Sequence, residues 1–437
     1  MRCTRNISQI SVYAGCLFFA FFLFFIVPVF MNSQREMFFP RYLPAITPIG
    51  GDYRIVFNFI SKWIAGENLT GLRALNCPPF SWLIYLPMLL VSLQTGYVLC
   101  VCLTLICFTG VIVWTARHSG ENKKEALPLV LIPGLMSYGL QFELERGQFN
   151  VVAIALTVVS IAMYHVGSEK WRIPTTWLSF FLFSCAIQMK LFPACFVFLF
   201  TRDARAWRRN IVRWGGLGCA NIALLLALGW DNFMRFWSSL KCLQGSYAGR
   251  AGVSIQSFAG LVQKMVDDSF STVSLAGVNA DGLDVARSWV PNVLRYHFGD
   301  IVCAVGMLLA IGCFAIILLV AWQKNNRRIW ALLMMGCVLI GLLVLGNSYA
   351  YRLSVLPMVL VWFLKESDDF RLGSWRERLR LCLGILFYFG YCACLFPYAY
   401  VPVFLQSTVP VLLIMLIAVA GMAALDENTV PASESGS

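Results

Sequence analysis

Pro78-Pro79-Phe80-Ser81-Trp82-Leu83-Ile84-Tyr85-Leu86-Pro87-Met88-Leu89-Leu90-Val91-Ser92-Leu93 decides how the rest of this chain is read. The stretch is apolar enough for a membrane, yet Pro78-Pro79 opens it, Pro87 interrupts it and Gln94-Thr95-Gly96 closes it. From Phe80 to Leu93 it falls short of the ~20 residues a crossing helix needs, so it reads as an interfacial or re-entrant helix. Tyr97 to Ala116 then forms the second span. Whether Phe80 to Leu93 crosses or turns back sets which loops share a side.

The surroundings are those of a polytopic, all-α membrane protein. The chain has 437 residues, of which 59% are hydrophobic and 13% charged, and its mean hydropathy is +0.72. Its net charge of +12 is gathered in short segments between apolar runs, which is topology rather than nucleic-acid binding. No basic tail or nucleic-acid motif is present. Cys100, Cys102, Cys107, Cys185 and Cys195 lie inside apolar runs, where a thiol behaves as a small hydrophobe. His118, His165 and His297 are too scattered for a zinc cluster. The expectation is no metal site, no cofactor and no disulfide framework.

Before the deciding stretch, Arg2 and Arg5 precede an apolar run from Ser11 to Met31, too long for a signal-peptide core and read as the first span. After it, spans are expected at Leu127 to Leu140, Asn150 to Val166, Thr175 to Met189, Pro193 to Trp207, Trp214 to Trp230, Ile301 to Trp322, Ile329 to Leu345, Leu353 to Leu364, Leu381 to Leu395 and Pro402 to Leu425. That makes twelve crossings, several of them short, within a domain over 1–425. The polar segment 426–437 reads as a disordered tail.

Twelve crossings put the basic loops on one side: Arg117, Lys123 and Lys124; Lys170 and Arg172; Arg202, Arg205, Arg208 and Arg209; Lys324, Arg327 and Arg328; Arg376, Arg378 and Arg380. That side is cytoplasmic by the positive-inside rule, whereas thirteen crossings would place all of them outside. The first outer loop, 32–79, then faces away from the cytoplasm. So do segments around Glu143 to Asn150, Met189 to Pro193, 231–299, Asn347 to Arg352 and Phe396 to Val401. The 231–299 loop, with Tyr247, Arg250, Gln256, Asp267, Asp268 and Arg287, reads either as a lid or as a floppy connection. Asn68-Leu69-Thr70 in the first outer loop is a glycosylation sequon.

Gly50-Gly51-Asp52 opens a helix over Asp52 to Ala65, with Ile55, Phe59 and Ile60 on its apolar face and Gly66 as its stop. That pattern suits a helix lying in the membrane interface. Asp52 is the candidate catalytic base; the other reading is that it merely caps the helix by accepting from the amides of Arg54 or Ile55. Glu143, Glu145 and Arg146 sit at a turn between apolar runs, and charges there must face water or one another. Glu143, Glu145, Arg146, Gln148 and Asn150 are candidate substrate-binding residues: Arg146 and Gln148 read either as a grip on phosphate or sugar oxygens or as part of a solvated turn, with Asn150 near the start of the next helix. Lys190, beside Pro193 in an apolar region, reads as a helical hairpin presenting a cation to a lipid phosphate, against a snorkelling lysine. Tyr349, Tyr351 and Arg352 place two phenols and a guanidinium at another outer turn, with Arg352 a second candidate phosphate contact. His297, between Tyr296 and Phe298, is a further candidate at a span entrance.

Asp52 with its interfacial helix, Cys77-Pro78-Pro79-Phe80, Glu145 to Asn150 and Lys190-Leu191-Phe192-Pro193, in that order, resemble the integral-membrane glycosyltransferases of the GT-C fold, most closely glycosyltransferase family 87. The resemblance covers most of the membrane domain. It departs at Asn347 to Arg352, which lacks the histidine often found there in related sequences. It implies a GT-C-like bundle of about twelve transmembrane helices. It also implies transfer of a hexose, mannose in this family, from a polyprenyl phosphate to a glycan or glycolipid acceptor. Asp52 would deprotonate the acceptor hydroxyl while Lys190, Arg146 or Arg352 stabilises the leaving phosphate, and a single displacement would invert the anomer. The expected place is a bacterial inner membrane, with the site on the extracytoplasmic face. Two other readings stay open. One is a polysaccharide polymerase or ligase acting on lipid-linked glycans, which the 231–299 loop suits. The other is a transporter, for which internal repeats are expected and none is evident.

Overall fold

Apolar sequence becomes helix almost throughout, because a backbone buried in hydrocarbon must satisfy its own polar groups. The computed structural model describes residues 9–23, 50–67, 77–117, 127–166, 172–203, 206–247, 292–324, 327–344, 350–358, 360–361, 373–395 and 408–426. In chain order the α-helices are α1 (Gln9–Phe21), α2 (Gly51–Ile64), α3 (Ser81–Tyr85), α4 (Leu93–Arg117), α5 (Leu127–Leu135), α6 (Tyr138–Arg146), α7 (Asn150–Val166), α8 (Arg172–Met189), α9 (Trp207–Leu226), α10 (Trp230–Tyr247), α11 (Asn292–Lys324), α12 (Arg327–Val344), α13 (Trp375–Leu395) and α14 (Val409–Ala424). Three 3-10 helices, Leu86–Leu90, Phe192–Leu199 and Ala350–Val355, join them.

The described residues form an all-α, membrane-associated bundle. Two stretches, Leu93–Trp114 and Ala304–Lys324, are long and apolar enough to cross a membrane alone. The count rises to four if each of two bent pairs, α5 with α6 and α9 with α10, is one span. Twelve crossings are therefore not established by length and composition. Pro133 and the break before α6 account for the 47° bend of the first pair. Ser137 starts α6 afresh, its side chain accepting from the Leu140 amide.

The deciding stretch stays at one end of the bundle. Trp82 packs edge-on against Phe59 and Trp63 of α2. The Tyr85 hydroxyl reaches the Met189 carbonyl at the end of α8, and Tyr97 in the first turns of α4 donates to the Leu144 carbonyl at 2.8 Å. Both sides of Leu86–Leu90 are thus anchored to the elements that carry Leu144 and Met189. The α2 face that is buried comprises Tyr53, Val56, Phe59 and Ile60. Ile55, expected in that face, is only half-buried, so the face is rotated toward Tyr53.

Two expected elements come out differently. Pro193 to Trp207 is not one α-helix: a 3-10 helix over Phe192–Leu199 is followed by non-helical residues 200–203. Its ends explain this. Lys190 bonds Gln148 beside the start of α7, and Arg202 donates twice to the Tyr164 carbonyl near the end of α7, at 3.2 and 2.7 Å. An α-helix from Lys190 to Arg202 would rise only ~18 Å, against ~21 Å for α7 from Asn150 to Tyr164. The ~2.0 Å rise of a 3-10 helix makes up the difference, and Pro193 at its start has no amide to lose. The second correction concerns the expected 231–299 loop. Its first part is helix α10, turned 98° from α9 after Gly229, and its last part belongs to α11. Arg250, Gln256, Asp267, Asp268 and Arg287 lie outside the described residues.

Away from Asp52, Asp426 follows α14 with its side chain buried. It accepts from Arg380 of α13 at 3.1 Å, and Lys324 of α11 donates to its carbonyl. Arg202 lies over the Tyr164 ring at 4.5 Å. Tyr164, which Arg202 meets, lies near the end of α7 away from Asn150. Within the bundle, Gln188 of α8 donates to the Asn221 side chain and carbonyl of α9 at 3.2 and 3.1 Å, and Asn221 donates to Ser184 at 3.1 Å. Asn221→Ala removes the side-chain bonds to Gln188 and Ser184 and leaves only the backbone bond from Gln188. A loss of ~1 kcal/mol is expected, read as a lower thermal midpoint in detergent.

Candidate active site

The site is built by two close turns. Gly50 at φ +73° ends the approach to α2, and its amide donates to the Glu145 carbonyl at 2.7 Å. Gly147 at φ +66° ends α6 and reverses the chain into α7. A Cβ on Gly147 would stand 2.7 Å from the Tyr53 Cβ, so only glycine lets the 146–148 turn lie against α2. This contact brings together residues far apart in sequence.

Asp52 lies in the first turn of α2, and its carboxylate faces the 146–148 turn. Arg146 grips it with both edges of a fork: Nε donates to Oδ2 at 3.0 Å and Nη2 donates to Oδ1 at 2.7 Å. Gln148 Nε2 donates to Oδ2 at 2.5 Å. The capping reading of Asp52 is thereby corrected: the N-cap is Gly50, with no side-chain cap bond. Asp52 is still about one-fifth exposed, as is Arg146, so the pair meets solvent.

Lys190 completes the group, its Nζ donating to Gln148 Oε1 at 2.6 Å. An ammonium has no acceptor, so it dictates the amide's orientation: Oε1 must face Lys190, leaving Nε2 for Asp52. A carboxylate offers about four acceptor positions, and three are taken here. Oδ1 keeps one acceptor position open among the described residues.

Glu143 sits behind this surface, fully buried. Its carboxylate accepts from the amides of Asn150 and Val151, the latter at 2.8 Å, and from the Ser354 hydroxyl. Two amides of the first turn of α7 thus meet the Glu143 carboxyl, at the helix end where orphan donors need an acceptor. Glu143 ties α6, α7 and the 3-10 helix Ala350–Val355 together. Asn150 is also fully buried, and neither side-chain polar atom has a partner among the described residues. Glu145 lends its backbone carbonyl to Gly50, and its half-buried carboxylate lies near Tyr97 and Tyr138.

Arg352 is half-buried in the 3-10 helix, two residues before Ser354. Tyr351 follows the same backbone, and Tyr349 lies outside the described residues. His297 is in the N-terminal part of α11. Asp52, Arg146, Gln148 and Lys190 are therefore in direct contact, Glu143 and Asn150 lie behind them, and the His297 side chain lies outside what the structure describes. Tyr53, Tyr97 and Ser354 were not expected. Tyr53 has a buried hydroxyl, and burial pushes its phenol up to about 12, with a smaller push from Cys100, so it stays neutral. Among the described residues no group of three or more His, Cys, Asp or Glu comes together as metal ligands.

A carboxylate with an open acceptor position thus lies beside two cations at one end of an apolar bundle, an arrangement able to accept a proton and to meet an anion. The chain belongs to glycosyltransferase family 87, whose model matches residues 77–346, well over half its length. It is accordingly a glycosyltransferase, and Arg146, Gln148 and Lys190 lie inside the matched region while Asp52 lies upstream of it. Comparison with curated proteins and with solved structures returned no match.

Proposed function

We propose that this glycosyltransferase moves a hexose, mannose by our reading, from a polyprenyl phosphate to a glycan or glycolipid acceptor at the outer face of a bacterial inner membrane. The observation that carries the reading is the Asp52, Arg146, Gln148 and Lys190 group, which unites a base and two cations. The acceptor hydroxyl gives its proton to Oδ1 of Asp52 as its oxygen bonds to the anomeric carbon. The bond from that carbon to the phosphate oxygen breaks, and its electron pair leaves with the polyprenyl phosphate. Lys190 and Arg146 meet the growing phosphate charge. A phosphate leaves without needing a proton, so one carboxylate suffices, unlike the paired carboxylates of glycoside hydrolysis.

Attack opposite the leaving group inverts the anomer. The 1–425 domain would cross twelve times, with the basic segments cytoplasmic and the Asp52 end outside. Arg352, Tyr349, Tyr351 and His297 border the substrate in this reading. Glu143, Glu145 and Asn150 shape the turn that presents Arg146 and Gln148.

Lys190→Ala is the direct test. Loss of a cation from the phosphate should raise the KM for polyprenyl-phosphate-mannose by about tenfold to a hundredfold. kcat should fall as well, because Gln148 loses the partner that orients it on Asp52. Unchanged kinetics, at matched expression and thermal midpoint, would remove Lys190 from the site.

A further inference from the structure

Gly50 and Gly51 precede Asp52, and only the first is explained by the backbone. Gly50 has φ +73°, whereas Gly51 is the first residue of α2 and does not have a positive φ. A glycine there weakens the helix relative to alanine, through the freedom it loses on folding. The position nonetheless has room for a side chain. A Cβ on Gly51 would meet nothing closer than Arg146 Nη1 at 3.5 Å and Arg146 Cζ at 4.0 Å, ordinary contact distances.

What that Cβ would cover is the unused edge of the guanidinium. Nε and Nη2 of Arg146 are committed to Asp52. Nη1 makes no hydrogen bond among the described residues, and it is not among the buried unpartnered atoms. It carries two donors, and its planar edge fits a phosphate oxygen. Lys190, two bonds away through Gln148, has two further donors uncommitted among the described residues.

We infer that Gly51 keeps the Nη1 edge of Arg146 open for the phosphate of the lipid donor. The inference rests on the reading that Arg146 contacts that phosphate. Arg146 then holds Asp52 with one edge and the phosphate with the other, so that one rigid group sets the distance between base and leaving group. Gly51 is a positioning residue, acting on the substrate through the guanidinium beside it.

The test is binding of farnesyl phosphate to the full-length protein in detergent, with thermal midpoints measured alongside, for wild type, Gly51→Ala, Arg146→Lys and the double variant. Gly51→Ala should weaken binding by about tenfold, with a midpoint equal to or above wild type, since alanine favours the helix. Arg146→Lys, which lacks a second edge, should weaken it at least as much, and the double variant should lose little more than Arg146→Lys. Normal binding by Gly51→Ala with weakened binding by Arg146→Lys overturns the role of Gly51 and leaves Arg146 as the phosphate contact. Normal binding by both overturns the reading of Arg146 as well. A lowered midpoint for Gly51→Ala also overturns the inference, because the glycine would then be a backbone requirement.

Discussion

Asp52→Asn should lower kcat for release of polyprenyl phosphate by about a hundredfold to ten-thousandfold, the range a positioned general base supplies. The substitution is nearly isosteric, so α2 and its packing against Trp82 and Phe149 should persist. It does replace one acceptor oxygen by an NH2 facing Arg146 or Gln148, which are themselves donors. A modest fall in thermal midpoint is therefore expected beside the large fall in rate. Activity near wild type would make Asp52 only the anchor that holds Arg146. Glu143 is a poor substitute for the role, being fully buried and engaged by Ser354 and the amides of α7.

Gly147→Ala should be the most damaging small substitution at the site. At φ +66° alanine costs about 1 kcal/mol before any contact is counted. Its Cβ would also stand 2.7 Å from the Tyr53 Cβ, an atom fixed to the α2 backbone and unable to swing aside. Relief requires α2 and the 146–148 turn to part, at an overpacking cost of about 1–3 kcal/mol. Separation pulls Arg146 and Gln148 from Asp52, so activity should fall more than tenfold even in the folded fraction. Thermal unfolding and donor turnover on the same preparation check both effects. A normal midpoint with normal turnover would mean that the close approach of the two turns is unimportant.

The polar residues that come together around Asp52 were legible in the sequence, but their partnerships were not. Asp52 stood out because it follows two glycines at the head of an amphipathic segment, and Lys190 because a cation interrupts apolar sequence beside a proline. Arg146 and Gln148 read as grips on substrate oxygens, whereas the structure turns both onto Asp52. That pairing joins residues 94 and 96 positions apart. It depends on Gly50 and Gly147 adopting left-handed backbone at the same place, which no local spacing reveals. Ser354 was missed for the same reason: a lone serine gains meaning only from the buried Glu143 it meets.

Element type followed a similar divide. The short, broken helices of Phe80 to Leu93 were legible from prolines and length, both local. The 3-10 form of Phe192–Leu199 did not, because it is imposed by attachments to both ends of α7. Helix α10 was missed because its polar residues were read as loop chemistry. Its Trp230, Met234 and Trp237 are exposed apolar residues turned across the end of α9, as in a helix lying along an interface.

The central claim is single displacement on a polyprenyl-phosphate sugar, and the anomeric outcome tests it most directly. Membranes of the source cells overproducing the chain, which hold the natural acceptor, would be supplied with polyprenyl-phosphate-mannose of one anomer, labelled with carbon-13 at the anomeric position. NMR of the extracted product should show the opposite anomer, formed in step with polyprenyl phosphate release and lost in Asp52→Asn membranes. A product that retains the donor's configuration would contradict a single displacement with Asp52 as its base.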